Sequence, residues 1–241
     1  MIQVSTVGMS IAENLAAIHE RMARAARRAG RAPEDVQLMA VSKTMPAARI
    51  VEAYEAGQRL FGENRVQEFA DKYGGLERLR DAEFHMIGHL QSNKAAKAAE
   101  LFSAVDSLDS AKVGDRLNAA AGELRETLAV LIEINIGGEE AKSGIAHDSP
   151  ELEAIFAAAP NWPHLRIQGL MTVPPFTDDP EGARVYFRKL RELRDRLAAR
   201  SLASIKLDVL SMGMSHDFEV AIEEGSTCVR IGTAIFGERK R

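Results

Sequence analysis

The sequence predicts an α/β fold: a single (β/α)8 TIM-like barrel with an additional N-terminal helix. Three observations lead there. Eight short apolar runs alternate along the 241 residues with segments of helical character, as linked βα units do. Polar and glycine-bearing residues gather where those runs end rather than where they begin, which gives the strands a common direction. Eight such units in about 250 residues is also the usual size of this barrel. The alternative is an open doubly wound sheet, which should carry a G-x-G-x-x-G turn after its first strand. Here that turn reads Ser42-Lys43-Thr44-Met45-Pro46.

Taken in order, Ser10 with Glu13 forms a capping box that opens a helix with Ile11, Leu15, Ile18 and Met22 on one face and Gly30 as its stop. Arg21, Arg24, Arg27, Arg28 and Arg31 are expected on a solvated face of that helix. Leu38 to Val41 is the first strand, and Pro46, suited to the first helical position, starts a helix to about Tyr54. Arg59 to Gly62, Phe84 to Gly88 and Phe102 to Asp106 are the next strands. Helices Asn64–Tyr73, Asn93–Leu101 and Ser110–Arg125 follow them. Leu128 to Asn135 is the clearest strand; a loop from Ile136 to His147 leads to a helix from Ser149 to Ala158. Strand Leu165–Met171 precedes a long helix from about Pro180 to Ser201. Strand Lys206–Leu210 precedes a helix capped by Ser215 and ending at Gly225, and Thr227 to Ile231 is the last strand. That leaves seven helices after strands, with the opening helix as the eighth, and residues 1–241 as one domain.

Composition bounds the function. Hydrophobic residues make up 46% of the chain, enough for a sizeable core, and the net charge is −4, from 35 acidic and 31 basic residues. That balance gives no case for nucleic acid or an anionic membrane. The single cysteine, Cys228, excludes an internal disulfide and suits a reducing compartment. No apolar run approaches a membrane span, and no basic-then-apolar leader is evident. The expected location is the cytoplasm.

Chemistry concentrates at the C-terminal strand ends, where such barrels place it. A lysine where a buried strand breaks into a loop, as Lys43 does, loses hydration. Desolvation lowers its pKa and favours Schiff-base chemistry; taken alone the residue reads more readily as a side chain snorkelling into water, and the rest of the rim reverses that balance. In the fifth strand Glu133 and Asn135 share a face. In the eighth, Cys228 and Arg230 oppose Val229 and Ile231, so Arg230 points inward near the mouth and needs an acceptor or counter-ion. The seventh and eighth strands end in Ser211-Met212-Gly213-Met214-Ser215 and Gly232-Thr233. The loops after these strands are the frequent phosphate site of the fold, where small residues admit backbone N–H groups to an anion. Two tight turns with Ser and Thr caps would look the same. A reactive lysine, an inward arginine and a phosphate cradle on one rim together suit pyridoxal 5′-phosphate (PLP), a phosphate-bearing aldehyde.

The remaining candidates are plainer. His85, His89, His147, His164 and His216 show no metal-type spacing and most are expected in loops and caps, with His89 placed to line the mouth. Cys228 reads as a buried small apolar residue rather than a nucleophile. Lys142 is a solvated loop residue or an electrostatic guide for phosphate, and Glu238 to Arg241 a frayed basic tail.

The chain resembles the pyridoxal phosphate homeostasis proteins. The resemblance runs from Val41-Ser42-Lys43-Thr44 through Phe61-Gly62-Glu63-Asn64 and His85 to Lys94. It continues through Gly169-Leu170-Met171 and Ser211 to Ser215, and ends in Val229 to Gly237. It implies a barrel similar to the N-terminal domain of alanine racemase, with PLP as a Schiff base on Lys43. It further implies phosphate held by Ser211, Gly213, Gly232 and Thr233, Arg230 beside the pyridine nitrogen, and Asn64 and Met171 near the cofactor. The implied role is control of the free PLP pool without substantial turnover, by a monomer with PLP-dependent apoenzymes as recipients. Met45 departs from the polar residue common at its position. The enzymatic alternatives are a PLP-dependent amino-acid racemase and an aldolase using Lys43 directly on a sugar phosphate. A racemase needs two bases on opposite faces, and Tyr54, Tyr73 and Tyr186 all fall in helices outside the barrel. A pure interaction scaffold would not need so polar a rim.

Overall fold

Apolar runs flanked by turn residues become the eight strands of a closed parallel barrel in a computed structural model, which describes residues 9–139, 143–200 and 205–237. The strands are β1 Gln37–Val41, β2 Leu60–Glu63, β3 Glu83–Met86, β4 Ala104–Leu108, β5 Leu128–Glu133, β6 Leu165–Met171, β7 Ile205–Ser211 and β8 Cys228–Ile231. Each pairs with its neighbour in sequence, and β8 pairs back to β1 with Met39 opposite Arg230. Parallel order follows because a helix returns the chain between strands. These helices are α2 Ala47–Glu55, α3 Val66–Tyr73, α4 Ala95–Leu101, α5 Ala111–Leu124, α6 Pro150–Ala158, α7 Arg184–Ala198, α8 Phe218–Glu223 and α9 Thr233–Phe236. The opening helix, α1, spans Ile11–Arg28 with the Ser10–Glu13 capping box in place. Among the described residues no helix is long and apolar enough to cross a membrane.

Several boundaries differ from expectation for identifiable reasons. Pro46 is the N-cap of α2 rather than its first residue, with an extended ψ of 155°. β5 ends at Glu133 rather than Asn135, because the loop folds back and Ile145 donates its N–H to the Glu133 carbonyl. The long helix divides into a 3-10 turn, Pro180–Ala183, and α7. Ser215 does not cap α8: the cap is Asp217, whose carboxylate accepts the Met214 N–H at 2.6 Å. A helix also follows β8, but it is one turn long, and α1 packs against both it and α8.

The arginines of α1 are more engaged than a solvated face requires. Arg21 pairs with Glu219 and Arg28 with Glu223, both on α8. Arg31, just past the end of α1, donates to the Ile222 and Ser226 carbonyls, and Arg24 only to Glu20 on its own helix. Exposed pairs of this kind contribute little stability individually; they orient α1 across the closing helices, while buried Leu15, Ile18 and Met22 supply the apolar contact.

His85 lies within the third strand as expected and faces into the barrel on β3, with Nδ1 3.1 Å from Asp106 Oδ1. Burial works against the imidazolium, but the Asp106 carboxylate and Glu83 outweigh it and push the pKa up to about 9. A raised folded-state pKa means that this stabilisation is complete below the ordinary value of 6.5 and lost as the pH rises through about 9. The side chain keeps 19% of its surface exposed, which screens part of the attraction. Between about pH 6 and pH 9.5 the protein is expected to lose on the order of 1–2 kcal/mol that His85→Gln does not lose. Urea melts at both pH values measure this, and parallel losses in the two proteins would assign the effect to other groups.

Candidate functional site

At the C-terminal ends of the strands lies a cavity of about 580 Å³, within the range of small-molecule sites. Lys43, at the end of β1, lines it from one side and is half-buried. Beside it are Asn64 after β2 and Ile87 after β3; Glu133 of β5 lies across the barrel, and Arg230 of β8, the strand next to β1, forms the floor.

Arg230 is inward and buried, as alternation along β8 requires. Its acceptors are Ser211 Oγ at 2.8 Å and the Thr172 carbonyl at 2.7 Å. Thr172 is itself tied down, its hydroxyl donating to the Ile134 carbonyl at 2.6 Å. Burial draws the guanidinium pKa down, while the nearby Asp106, Glu133 and Asp217 carboxyls favour its charge. An arginine remains protonated in either case, so the floor of the cavity is cationic. Burial raises the pKa of Glu133; one oxygen accepts from Ser143 at 2.7 Å and the other has no hydrogen-bond partner.

The turn after β7 depends on Gly213, at φ +95°, a conformation open to glycine. A Cβ there would also lie 2.5 Å from Ala221 Cβ of α8. Its carbonyl accepts the Arg230 N–H, which ties the turn to β8. Past it, Met214, Ser215 and His216 reach the cavity, facing Gly232 and Thr233 at the start of α9. The first N–H groups of a helix have no partner within it, so α9 presents donors at this rim.

Of the residues singled out from sequence, Lys43, Asn64, Arg230, Gly232 and Thr233 line one cavity; Met171, Ser211 and Gly213 are not among its lining residues. Register explains this. Met171 pairs with Ser211, and Ser211 with Cys228, which places both a layer below Arg230. Ser211 spends its hydroxyl on that guanidinium. Cys228 is buried, its thiol pushed up to about 12 by burial, and is no nucleophile. His89 pairs with Asp109 in the open and does not line the cavity, whereas His216 does, its ring against Phe176. Glu133, Phe176, Val173 and Ser215 were missed as site residues. For Glu133 the signal was present in the alternation of β5; Phe176 sits in an irregular loop without periodicity. Tyr54, Tyr73 and Tyr186 lie on outer helices and none lines the cavity. Lys142 lies outside the described residues, as does the tail from Glu238.

Comparison with known proteins gives a consistent set of likenesses. The family model described as alanine racemase, N-terminal domain, matches residues 14–240. The pyridoxal phosphate homeostasis protein of Aquifex aeolicus (strain VF5) is 46% identical, over 96% of this chain and 100% of that one. The protein of the same name from Escherichia coli (strain K12) is 45% identical, over 95% and 97%. Among solved structures, PipY of Synechococcus elongatus PCC7942 with PLP bound is 37% identical. It covers 95% of this chain and 100% of its own, with a TM-score of 0.82. Alanine racemase of Clostridium difficile 630, at 15% identity and TM-score 0.70 over 58% of its length, shares the fold.

Proposed function

The chain belongs to the pyridoxal phosphate homeostasis family, and from that premise we propose that it holds PLP as a Schiff base on Lys43 and serves PLP homeostasis without substantial turnover. The observation that carries the reading is the meeting of Lys43, Arg230 and the Gly232-Thr233 turn in a single cavity. The residues present fit the group. The volume accommodates a substituted pyridine with its phosphate, and the rim supplies a primary amine, a buried guanidinium and helix-start donors. At Gly232 a Cβ would come within 3.3 Å of the Val41 carbonyl, on the strand that carries Lys43, so the smallest residue keeps this side of the site open.

Bound PLP would supply an aldehyde for condensation with the Lys43 amine, with water as the other product. Within this reading, Lys43 attacks and anchors, Thr233 and the α9 amides bind the phosphate, and Asn64 flanks the ring. Met171, Ser211 and Gly213 act from behind. Ser211 and the Thr172 carbonyl hold Arg230, Gly213 lets α8 approach, and Met171 fills the layer beneath. Arg230 opposes protonation of the ring nitrogen, where enzymes needing a strong electron sink place a carboxylate. No tyrosine lines the cavity to serve as a second base. The same reading takes residues 1–241 as one PLP-binding domain, monomeric and cytoplasmic. In this reading the lone cysteine, Cys228, stays a buried thiol, and PLP-dependent apoenzymes are the recipients.

Incubating the PLP-loaded protein with L-alanine and other L-amino acids in deuterated water tests the absence of turnover. The expected result is α-deuteration no faster than with free PLP. Enzyme-like exchange or racemisation that disappears in Lys43→Ala would identify a racemase instead.

A further inference from the structure

The turn that carries Lys43 is held from outside the cavity by an arrangement that the binding reading leaves unused. Met45 donates its N–H to the Ser42 carbonyl at 3.0 Å, closing a four-residue turn with Lys43 and Thr44 at its centre. Thr44 has φ +65°. A β-branched residue pays a steric penalty there, at a position that glycine usually fills. Strain of this sort persists only where surrounding contacts over-determine it, and here those contacts come from α3. The Thr44 N–H donates to Glu68 Oε1 at 2.5 Å. Lys72, one turn further along the helix, donates to the Ser42 carbonyl at 3.1 Å and the Met45 carbonyl at 3.3 Å, the two ends of the turn.

Lys72 is itself fixed from below. Its ammonium lies 2.8 Å from Glu63 Oε1 and 3.2 Å from Glu68 Oε1, with only 11% of the side chain exposed. Glu63, at the end of β2, is fully buried, and Ser42 Oγ donates to the same oxygen at 2.6 Å. Burial pushes the Glu63 carboxyl upward in pKa while Lys72 opposes the shift. One cation therefore joins a buried carboxylate, an outer carboxylate and the two carbonyls that bracket Lys43. Such an arrangement has a direction: each contact of Lys72 restrains the turn or the groups that restrain it.

We propose that Lys72 is a positioning residue which, with Glu68, holds the strained Ser42–Met45 turn so that Lys43 is presented to the aldehyde of PLP. The inference rests on Lys43 being the attachment site. It concerns the rate and extent of covalent attachment, not the phosphate cradle, which is built by the turns after β7 and β8 and makes none of these contacts with α3.

The test compares wild type, Lys72→Met, Lys72→Arg and Glu68→Ala as full chains. PLP attachment is followed by borohydride trapping with peptide mapping. A second probe, pyridoxine 5′-phosphate, has the ring and phosphate but no aldehyde and reads the non-covalent contacts alone. Thermal melts establish that each variant folds. Lys72→Met is expected to slow trapping at Lys43 tenfold or more while changing affinity for pyridoxine 5′-phosphate less than twofold. Lys72→Arg should recover part of the rate, since a guanidinium still reaches the carbonyls. Glu68→Ala, which removes the acceptor of the Thr44 N–H but leaves the Lys72 bonds to the Ser42 and Met45 carbonyls, should slow trapping by a smaller factor; it decides the matter if Lys72→Met fails to fold. Wild-type trapping rates in the folded variants, or equal losses of both ligands, would overturn the positioning role. Failure of wild type itself to trap PLP on Lys43 would instead overturn the binding reading on which the inference stands.

Discussion

Lys43→Ala is expected to abolish covalent retention of PLP. Borohydride treatment of the PLP-loaded wild type should leave close to one pyridoxyl-phosphate group per chain on the peptide containing Lys43, and the variant should carry none. The expectation is this large because imine formation needs an amine that is both unprotonated and within bonding reach. Among the described residues Lys43 is the lysine that lines the cavity. Lys72 is brought near the turn in space by α3, and its ammonium is occupied by two carboxylates and two carbonyls. Lys43 forms no part of the apolar core, so the variant should fold with a stability change within about 0.5 kcal/mol, as substitutions away from cores and caps usually do. Full trapping in Lys43→Ala, on Lys72, Lys94 or any other lysine, would remove Lys43 from the proposal.

Removing the phosphate should have the next largest effect. Pyridoxal keeps the aldehyde and ring but gives up the charge-assisted hydrogen bonds at the β7 and β8 turns. Each such bond is worth roughly 1.5–3 kcal/mol, so losing two of them should weaken binding about a thousandfold. Thr233→Ala removes one hydroxyl donor from the rim and should weaken PLP binding about tenfold or more, with little effect on pyridoxal. Titration of both vitamers against wild type and Thr233→Ala gives the four affinities needed. Equal affinity for PLP and pyridoxal would place the phosphate outside this cradle, and a Thr233→Ala loss common to both would point to the ring instead.

Much of the barrel and part of its site were legible in the residues. Leu128 to Glu133 reads as a strand because an uninterrupted apolar run suits a position covered on both faces. The Ser10–Glu13 capping box locates the start of α1 to the residue, because both of its hydrogen bonds are local. Alternation in Cys228-Val229-Arg230-Ile231 was enough to turn Arg230 inward, since side chains on a strand repeat every two residues. Where an assignment depended on what a residue meets across the barrel, reading along the chain was insufficient. Ser215 was a reasonable helix cap until Asp217 took the Met214 N–H, and His85 had no local feature announcing Asp106, 21 positions away, as its partner.

The sequence by itself determined the element order, the common direction of the strands, the rim where polar groups collect, and the inward face of Arg230. All of these follow from short-range periodicities and turn chemistry that neighbouring residues settle among themselves. Only the tertiary structure decided height within the barrel. Ser211, Met171 and Arg230 all point inward, yet the register of β7 on β8 sets Ser211 opposite Cys228 and leaves Arg230 above it as the cavity floor. The tertiary structure likewise brought Lys72 and Glu68 to the turn that bears Lys43. The physical reason is the same in both cases. A period of two residues specifies which face a side chain takes, but depth and partnership depend on the stagger between strands and the docking of helices, which no single stretch of chain encodes.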